Sequence, residues 1–259
     1  MSIENNVTLL NYAYNGAHIN SSLTYNPPPK VVPDTRTQIN TYIEEVTSYL
    51  DSSPEPQEVH SNILHVLWIG INPILYHWLR INIDVSHEET MNDVQPEIDQ
   101  EVEALVQQLS DLAQSSSRLK TLNFTPQYIV LNVPPLHKTV FGRKAAETLS
   151  GSDSRLMSRY LGILLSMIEY FNKRLVESIG ALKSSGNQIN VKIKIFDAMS
   201  FWNQVQSKPY EYGLHNLTAC YPVTSQPPCK QPSAYEYWDS LHPTTSFHSL
   251  LSDEILRFL

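Results

Sequence analysis

Ile63-Leu64-His65-Val66-Leu67-Trp68-Ile69-Gly70 is the run that decides the fold. Its apolar residues are nearly continuous rather than alternating, the pattern of a strand buried on both faces of a parallel sheet. Working outward, Asp34 or Thr35 can cap a helix in which Ile39, Tyr42, Ile43, Val46, Tyr49 and Leu50 recur at helical spacing. After Gly70-Ile71-Asn72-Pro73, the run from Ile74 to Leu79 reads as a short helix or turn, and the segment up to Gln95 as polar loop. Pro96 to Leu112 then carries Ile98, Val102, Leu105, Val106, Leu109 and Leu112 on one helical face.

Gln127 to Val133 is a second buried strand, stopped by Pro134-Pro135, and Ser154 to Lys183 is the longest helical period, with Gly186 where a stop is expected. Val191 to Asp197 largely alternates and reads as a strand nearer the sheet edge. Met199 to Gln206 is a short helix, and Thr244 to Leu259 is a closing helix with Phe247, Leu250, Leu251, Ile255 and Phe258 inward. Near the start, Val7 to Tyr14 is a β-rich run ending at Asn15-Gly16, and Asn26-Pro27-Pro28-Pro29 is a stiff connection. Strands alternating with helices predict an α/β chain folded as one domain over 1–259, a three-layer α/β/α sandwich with a mainly parallel sheet. Ligands of such folds bind beyond the carboxyl ends of the strands.

The totals exclude some functions. A net charge of −8 without a basic patch argues against nucleic acid and anionic membranes as partners. No apolar run approaches the roughly 20 residues that span a bilayer. Cys220 and Cys229 lie in a Pro- and Tyr-rich loop, where they are either two isolated thiols or a small disulfide loop of an oxidising compartment. N-x-[ST] triplets at Asn6, Asn20, Asn123 and Asn216 also suit a secreted chain, whereas Met1 to Asn6 has neither the basic nor the apolar region of a signal peptide.

The chemistry gathers near the C-terminus, in Tyr237-Trp238-Asp239-Ser240-Leu241-His242-Pro243-Thr244. A carboxylate three residues before an imidazole can fix the ring's tautomer and stabilise its protonated form, the support that a general base requires. The alternative is that Asp239 only caps and His242 is a loop residue. Pro243 suits the first turn of the following helix. Gly16 and Asn72, expected at strand ends, each offer an N–H donor for an oxyanion, or are simply parts of turn dipeptides. His87-Glu88-Glu89 lacks the second His of a zinc motif, and His65 and His77 read as ordinary strand and helix residues, so no metal or other cofactor is expected.

Asn11-Tyr12-Ala13-Tyr14-Asn15-Gly16-Ala17 resembles the second block of the GDSL (SGNH) ester hydrolases, and Gly70-Ile71-Asn72-Pro73 resembles their third, normally G-x-N-D. Trp238-Asp239-Ser240-Leu241-His242-Pro243-Thr244 resembles their fifth, and Tyr212 to Cys220, with Cys229 downstream, is similar to the preceding loop of a fungal and plant-like branch that includes carbohydrate acetylesterases. The resemblance implies an SGNH-like (flavodoxin-like) sandwich, His242 as base, Asp239 as its orienting acid, Gly16 and Asn72 in the oxyanion hole, and a Cys220–Cys229 disulfide. It also implies a secreted monomer acting on acetylated sugars or similar small esters. The family's first block, the G-D-S strand end with the nucleophilic serine, has no counterpart among the six residues before Val7. The chain is therefore expected to be N-terminally truncated, to lack the first central strand, and to be poorly stable unless Val7 to Tyr12 pairs with Ile63 to Ile69. Gly151-Ser152-Asp153-Ser154 looks superficially like the missing block but reads as a cap for the long helix, and Pro73 in place of the family's Asp should push Asn72 toward extended geometry.

Overall fold

The computed structural model describes residues 9–23, 32–52, 62–81, 83–84, 86–115, 125–184, 192–221 and 227–259. In chain order these form α1 (Thr35–Ser52), β1 (Asn62–Trp68), α2 (Ile71–Trp78), α3 (His87–Ser115), β2 (Thr125–Leu131), α4 (Val140–Leu149) and α5 (Ser154–Ser184). There follow β3 (Lys192–Phe196), α6 (Ala198–Ser207), β4 (Asn216–Ala219), β5 (Tyr235–Tyr237) and α7 (Thr245–Phe258). Asn26 to Pro29, Gly186, Val191 and the triplets at Asn6 and Asn123 lie outside the described residues.

Among the described residues the main sheet runs β1-β2-β3, all parallel, with Trp68 opposite Leu131 and Leu131 opposite Phe196. Successive side chains of a strand point to opposite faces, and this divides the core in two. Leu67, Tyr128, Val130 and Ile193 face α1, α3 and α5, where Ile39, Leu105, Leu109, Leu164 and Phe171 are buried. Ile129, Leu131 and Phe196 face α6 and α7, whose Phe201, Trp202, Phe247 and Leu251 fill the other layer. This is an α/β/α arrangement with β2 in the middle, and β3 lies at the edge as its alternation predicts. No helix of the described residues is long and apolar enough to cross a membrane.

Burial on both faces belongs to β2 rather than to β1. Tyr128, Ile129, Val130 and Leu131 are all sealed, whereas Leu64 and Val66 are 42% and 54% exposed. The reason is lateral: α6 and α7 cover β2 and β3, and among the described residues no element extends that layer over the outer half of β1. The described part of the β-rich start, residues 9–14, forms no strand and does not pair with β1. Its Leu9, Leu10 and Tyr14 are exposed, and the Ala13 N–H is taken by the Asn11 side chain at 3.0 Å.

The stretch before Pro96 is helix rather than loop. Ser86 and Glu89 form a reciprocal cap, Ser86 N–H to Glu89 Oε2 at 2.8 Å and Glu89 N–H to Ser86 Oγ at 3.1 Å, and this starts α3 well upstream of Pro96. Thr90, Met91 and Val94 then join the buried face. At the other end of the chain, Thr244 caps α7 by accepting from Phe247 N–H, so Pro243 lies outside the helix, bridged to Tyr237. Phe258, the last helical residue, meets the Phe196 ring of β3 edge to face and is otherwise 41% exposed rather than buried. The cysteine loop contains the short parallel pair β4–β5, which its Pro- and Tyr-rich composition conceals.

Candidate active site

The loop between β5 and α7 is closed by Trp238 N–H donating to the His242 carbonyl at 2.7 Å, and is held to α4 by Phe141 N–H donating to the Ser240 carbonyl at 2.7 Å. Within it Asp239 uses both oxygens. Oδ1 accepts from the N–H groups of Leu241 (2.8 Å) and His242 (2.7 Å), and Oδ2 lies 2.7 Å from His242 Nδ1. An ionised carboxylate accepts only, so Nδ1 carries the proton and the lone pair is left on Nε2. Partial burial pushes the Asp239 carboxyl up, but the bonds from the His242 and Leu241 N–H groups and from the ring outweigh it and hold Asp239 below the usual carboxylate range. The His242 side chain is 57% exposed, so Nε2 is open to a substrate. Asp239 thus both caps its loop and orients the imidazole, and the two readings of the D-x-x-H spacing hold together.

Gly16 lies within a turn rather than at a strand end and has φ +80°; its N–H donates to nothing among the described residues. The three residues after it are pinned. Asn72 Nδ2 donates to the Ala17 carbonyl at 2.8 Å, Thr35 N–H to the His18 carbonyl at 3.0 Å, and Gln108 Nε2 to the Ile19 carbonyl at 2.9 Å. Gly16 and Asn72 are therefore neighbours, and the second hydrogen of the Asn72 amide is left over. Asn72 is not extended. It occupies the first turn of α2 with Pro73 after it, where the missing N–H of proline has no intrahelical acceptor to lose. Gly70 makes this possible, since it turns the chain from β1 into α2 with φ +123°, and a Cβ there would lie 2.9 Å from Phe171 Cζ and Val133 Cγ2.

Ile71, next to Asn72, and Leu241 and Pro243, on either side of His242, line one cavity with Trp68, Pro134 and Trp202. Residues flanking both halves of the candidate site thus share one cavity wall, beyond the carboxyl ends of β1 and β2. Among the described residues no serine hydroxyl bonds to the His242 ring. Ser152, at φ +68°, and Gly151 form the α4–α5 turn, where Asp153 caps α5 by accepting from Arg155 and Leu156 N–H. Ser22 Oγ is bound to Asn20 Oδ1.

Cys220 and Cys229 form a disulfide, with Cα atoms 5.0 Å apart. Cys220 N–H donates to the Tyr237 carbonyl at 2.8 Å and Tyr221 N–H to the Trp238 carbonyl at 2.6 Å, so the bridged loop is stitched to the strand that leads into Asp239. No group of three or more metal-ligating side chains is gathered among the described residues. His65 is an interior strand residue, 2.9 Å from the Tyr42 hydroxyl, and burial lowers its pKa to about 4.

One cluster escapes sequence reasoning. Glu101 on α3 is 1% exposed, and neither of its oxygens has a hydrogen-bond partner. Burial, then Asp34 and Glu97, push its pKa up to about 8. His77 Nδ1 meets Glu97 Oε2 at 2.7 Å and turns Nε2 toward Glu101 Oε1 at 4.0 Å; burial lowers the His77 pKa. A neutral acid facing a neutral imidazole is the state that both shifts favour. The available signal was the i, i+4 placement of Glu97 and Glu101 beside buried Ile98 and Val102.

A comparison with curated proteins gives no match. The family model described as GDSL-like lipase/acylhydrolase matches residues 1–255, which take in Gly16, Asn72, Asp239 and His242. The chain belongs to the GDSL-like lipase/acylhydrolase family of ester hydrolases.

Proposed function

We propose that the site hydrolyses carboxylic esters, removing short acyl groups such as acetyl from sugars or similar small alcohols, with His242 as general base, Asp239 as its orienting acid, and Gly16 N–H and Asn72 Nδ2–H as oxyanion donors. The observation that carries this reading is the 2.7 Å bond from His242 Nδ1 to Asp239, which leaves Nε2 as an exposed acceptor. In the reaction a nucleophilic hydroxyl attacks the carbonyl carbon as its proton passes to Nε2. The charge that develops on the carbonyl oxygen is held by the two donors, and the imidazolium returns the proton to the departing alcohol. Water then repeats the sequence on the acyl group and releases the acid. The sequence has no G-D-S triplet, so the nucleophile is assigned to no residue of this chain.

The absence of a serine at Nε2 among the described residues also favours a second reading, a non-catalytic carbohydrate-binding relative or a fragment without function. Hydrolysis of p-nitrophenyl acetate by the purified chain and by His242→Ala separates the two. A wild-type rate at least tenfold above the variant supports catalysis, and equal rates rule it out for this chain. The disulfide and the exposed Asn216 support an extracellular product. The net charge of −8 suits neither nucleic acid nor anionic membrane.

A further inference from the structure

The buried face of α3 is apolar at Val102, Leu105, Leu109 and Leu112, yet Gln108 stands among them at 5% exposure. Its Nε2 donates to the Ile19 carbonyl at 2.9 Å, and its Oε1 has no hydrogen-bond partner among the described residues. Methionine or leucine would fill the same space without a buried acceptor left unmet, so packing alone does not call for glutamine. The single bond that Gln108 makes reaches the segment behind Gly16. There three successive carbonyls each accept from a different helix: Ala17 from Asn72 of α2, His18 from Thr35 of α1 and Ile19 from Gln108 of α3. Ala17 and Ile19 are themselves sealed, so removing a donor there leaves an acceptor unpaired away from bulk water. The Ala17 bond bears on the chemistry because the Asn72 amide is planar. Fixing one Nδ2–H on the Ala17 carbonyl fixes the direction of the other, which is the hydrogen assigned to the oxyanion.

We propose that Gln108 is a positioning residue for the oxyanion donors: its bond holds Ile19, the held segment keeps the Ala17 carbonyl in place, and that carbonyl orients the Asn72 amide. The assignment rests on the ester-hydrolase reading for its purpose, but the orientation of Asn72 is measurable without turnover. With an apolar residue at position 108 the Ile19 carbonyl has no donor, and the segment must shift to find one.

The Asn72 side-chain signals of ¹⁵N-labelled protein, identified by their loss in Asn72→Ala, report that orientation. In the wild type the hydrogen on the Ala17 carbonyl should exchange with water more slowly than its twin. Gln108→Leu and Gln108→Met should each speed that exchange at least tenfold and shift the pair. Leu112→Ala, which removes core packing one turn further along α3, should lower the melting temperature and leave the pair in place. The dispersion of the four indole signals verifies that each variant is folded. The proposal is overturned if the Asn72 pair is unchanged in a folded Gln108 variant, or if Leu112→Ala moves it equally. It is also overturned if neither Gln108 variant folds, since glutamine would then hold the fold rather than the amide. Altered Asn72 signals in a protein that cleaves no ester would instead sink the hydrolase reading and leave the positioning role standing.

Discussion

Replacing Glu101 by Gln should make the protein more stable, and by an amount that depends on pH. Glu101 is sealed, facing His77 from α2, and it feels the charges of Asp34 from the N-terminal segment and Glu97 from its own helix. In the unfolded chain its carboxyl ionises near the ordinary 4.5, whereas in the fold it keeps its proton to about 8. Between those values the folded state binds a proton that the unfolded state has lost, so stability falls as pH rises. The contribution of Glu101 is fully present below about 4.5 and is lost as pH climbs through about 8. At about 1.36 kcal/mol per pH unit the whole window amounts to at most about 5 kcal/mol. Gln has nearly the same shape and no charge to bury, and His77, which titrates the opposite way, is common to both proteins and cancels from the difference. Urea unfolding of both proteins from pH 4 to pH 9 should therefore show curves that nearly coincide at pH 4 and separate by several kcal/mol at pH 9. A constant separation across that range would refute the reasoning, because it would mean that Glu101 titrates alike in both states.

Gly70→Ala should cost more than about 2 kcal/mol, since the new methyl meets Phe171 and Val133 at 2.9 Å in a left-handed backbone, and a thermal melt should fall by at least about 4 °C. Gly16→Ala is the control: it has a positive φ but nothing within 4 Å of the new carbon, so its cost should stay near 1 kcal/mol. Reducing the Cys220–Cys229 bridge, which spans nine positions, releases a loop worth about 2.5 kcal/mol in chain entropy, visible as a lower melting temperature with dithiothreitol and unchanged by it in the double serine variant.

The elements that the sequence shows clearly are those whose pattern is complete within one segment. The period from Ser154 to Lys183 reproduces α5 almost to the residue, and the continuous apolar run of β2 is as buried as it looks. The Asp239–His242 spacing likewise carries its own geometry, because three residues are the reach of an Asx-type turn. What failed depended on neighbours. The apolar run of β1 is indistinguishable from that of β2 until the cover of α6 and α7 is seen to end before Leu64 and Val66. The apolar period that starts at Ile98 places a helix from Pro96, yet the Ser86–Glu89 box, beginning ten residues upstream of Pro96, is a local and stronger start signal. Pro73 likewise suggests an extended Asn72, but the positive φ of Gly70 turns the chain into a helix before Asn72 is reached. The Glu101 cluster draws on the N-terminal segment, α2 and α3, which no single stretch of sequence displays together.

The proline inside α3 has a consequence for how that helix opens. Pro96 gives no N–H to the Asn92 carbonyl, so the hydrogen-bonded ladder has a missing rung between the turn that covers His77 and the turns that pack under Ile19. Cooperative opening spreads along intact ladders. The first nine residues of α3 can thus unzip from Ser86 as one unit and uncover His77, while the ladder from Ile98 onward stays closed on α5. Amide exchange along α3 should accordingly fall into two rates rather than a gradient, with the boundary set by one pyrrolidine ring.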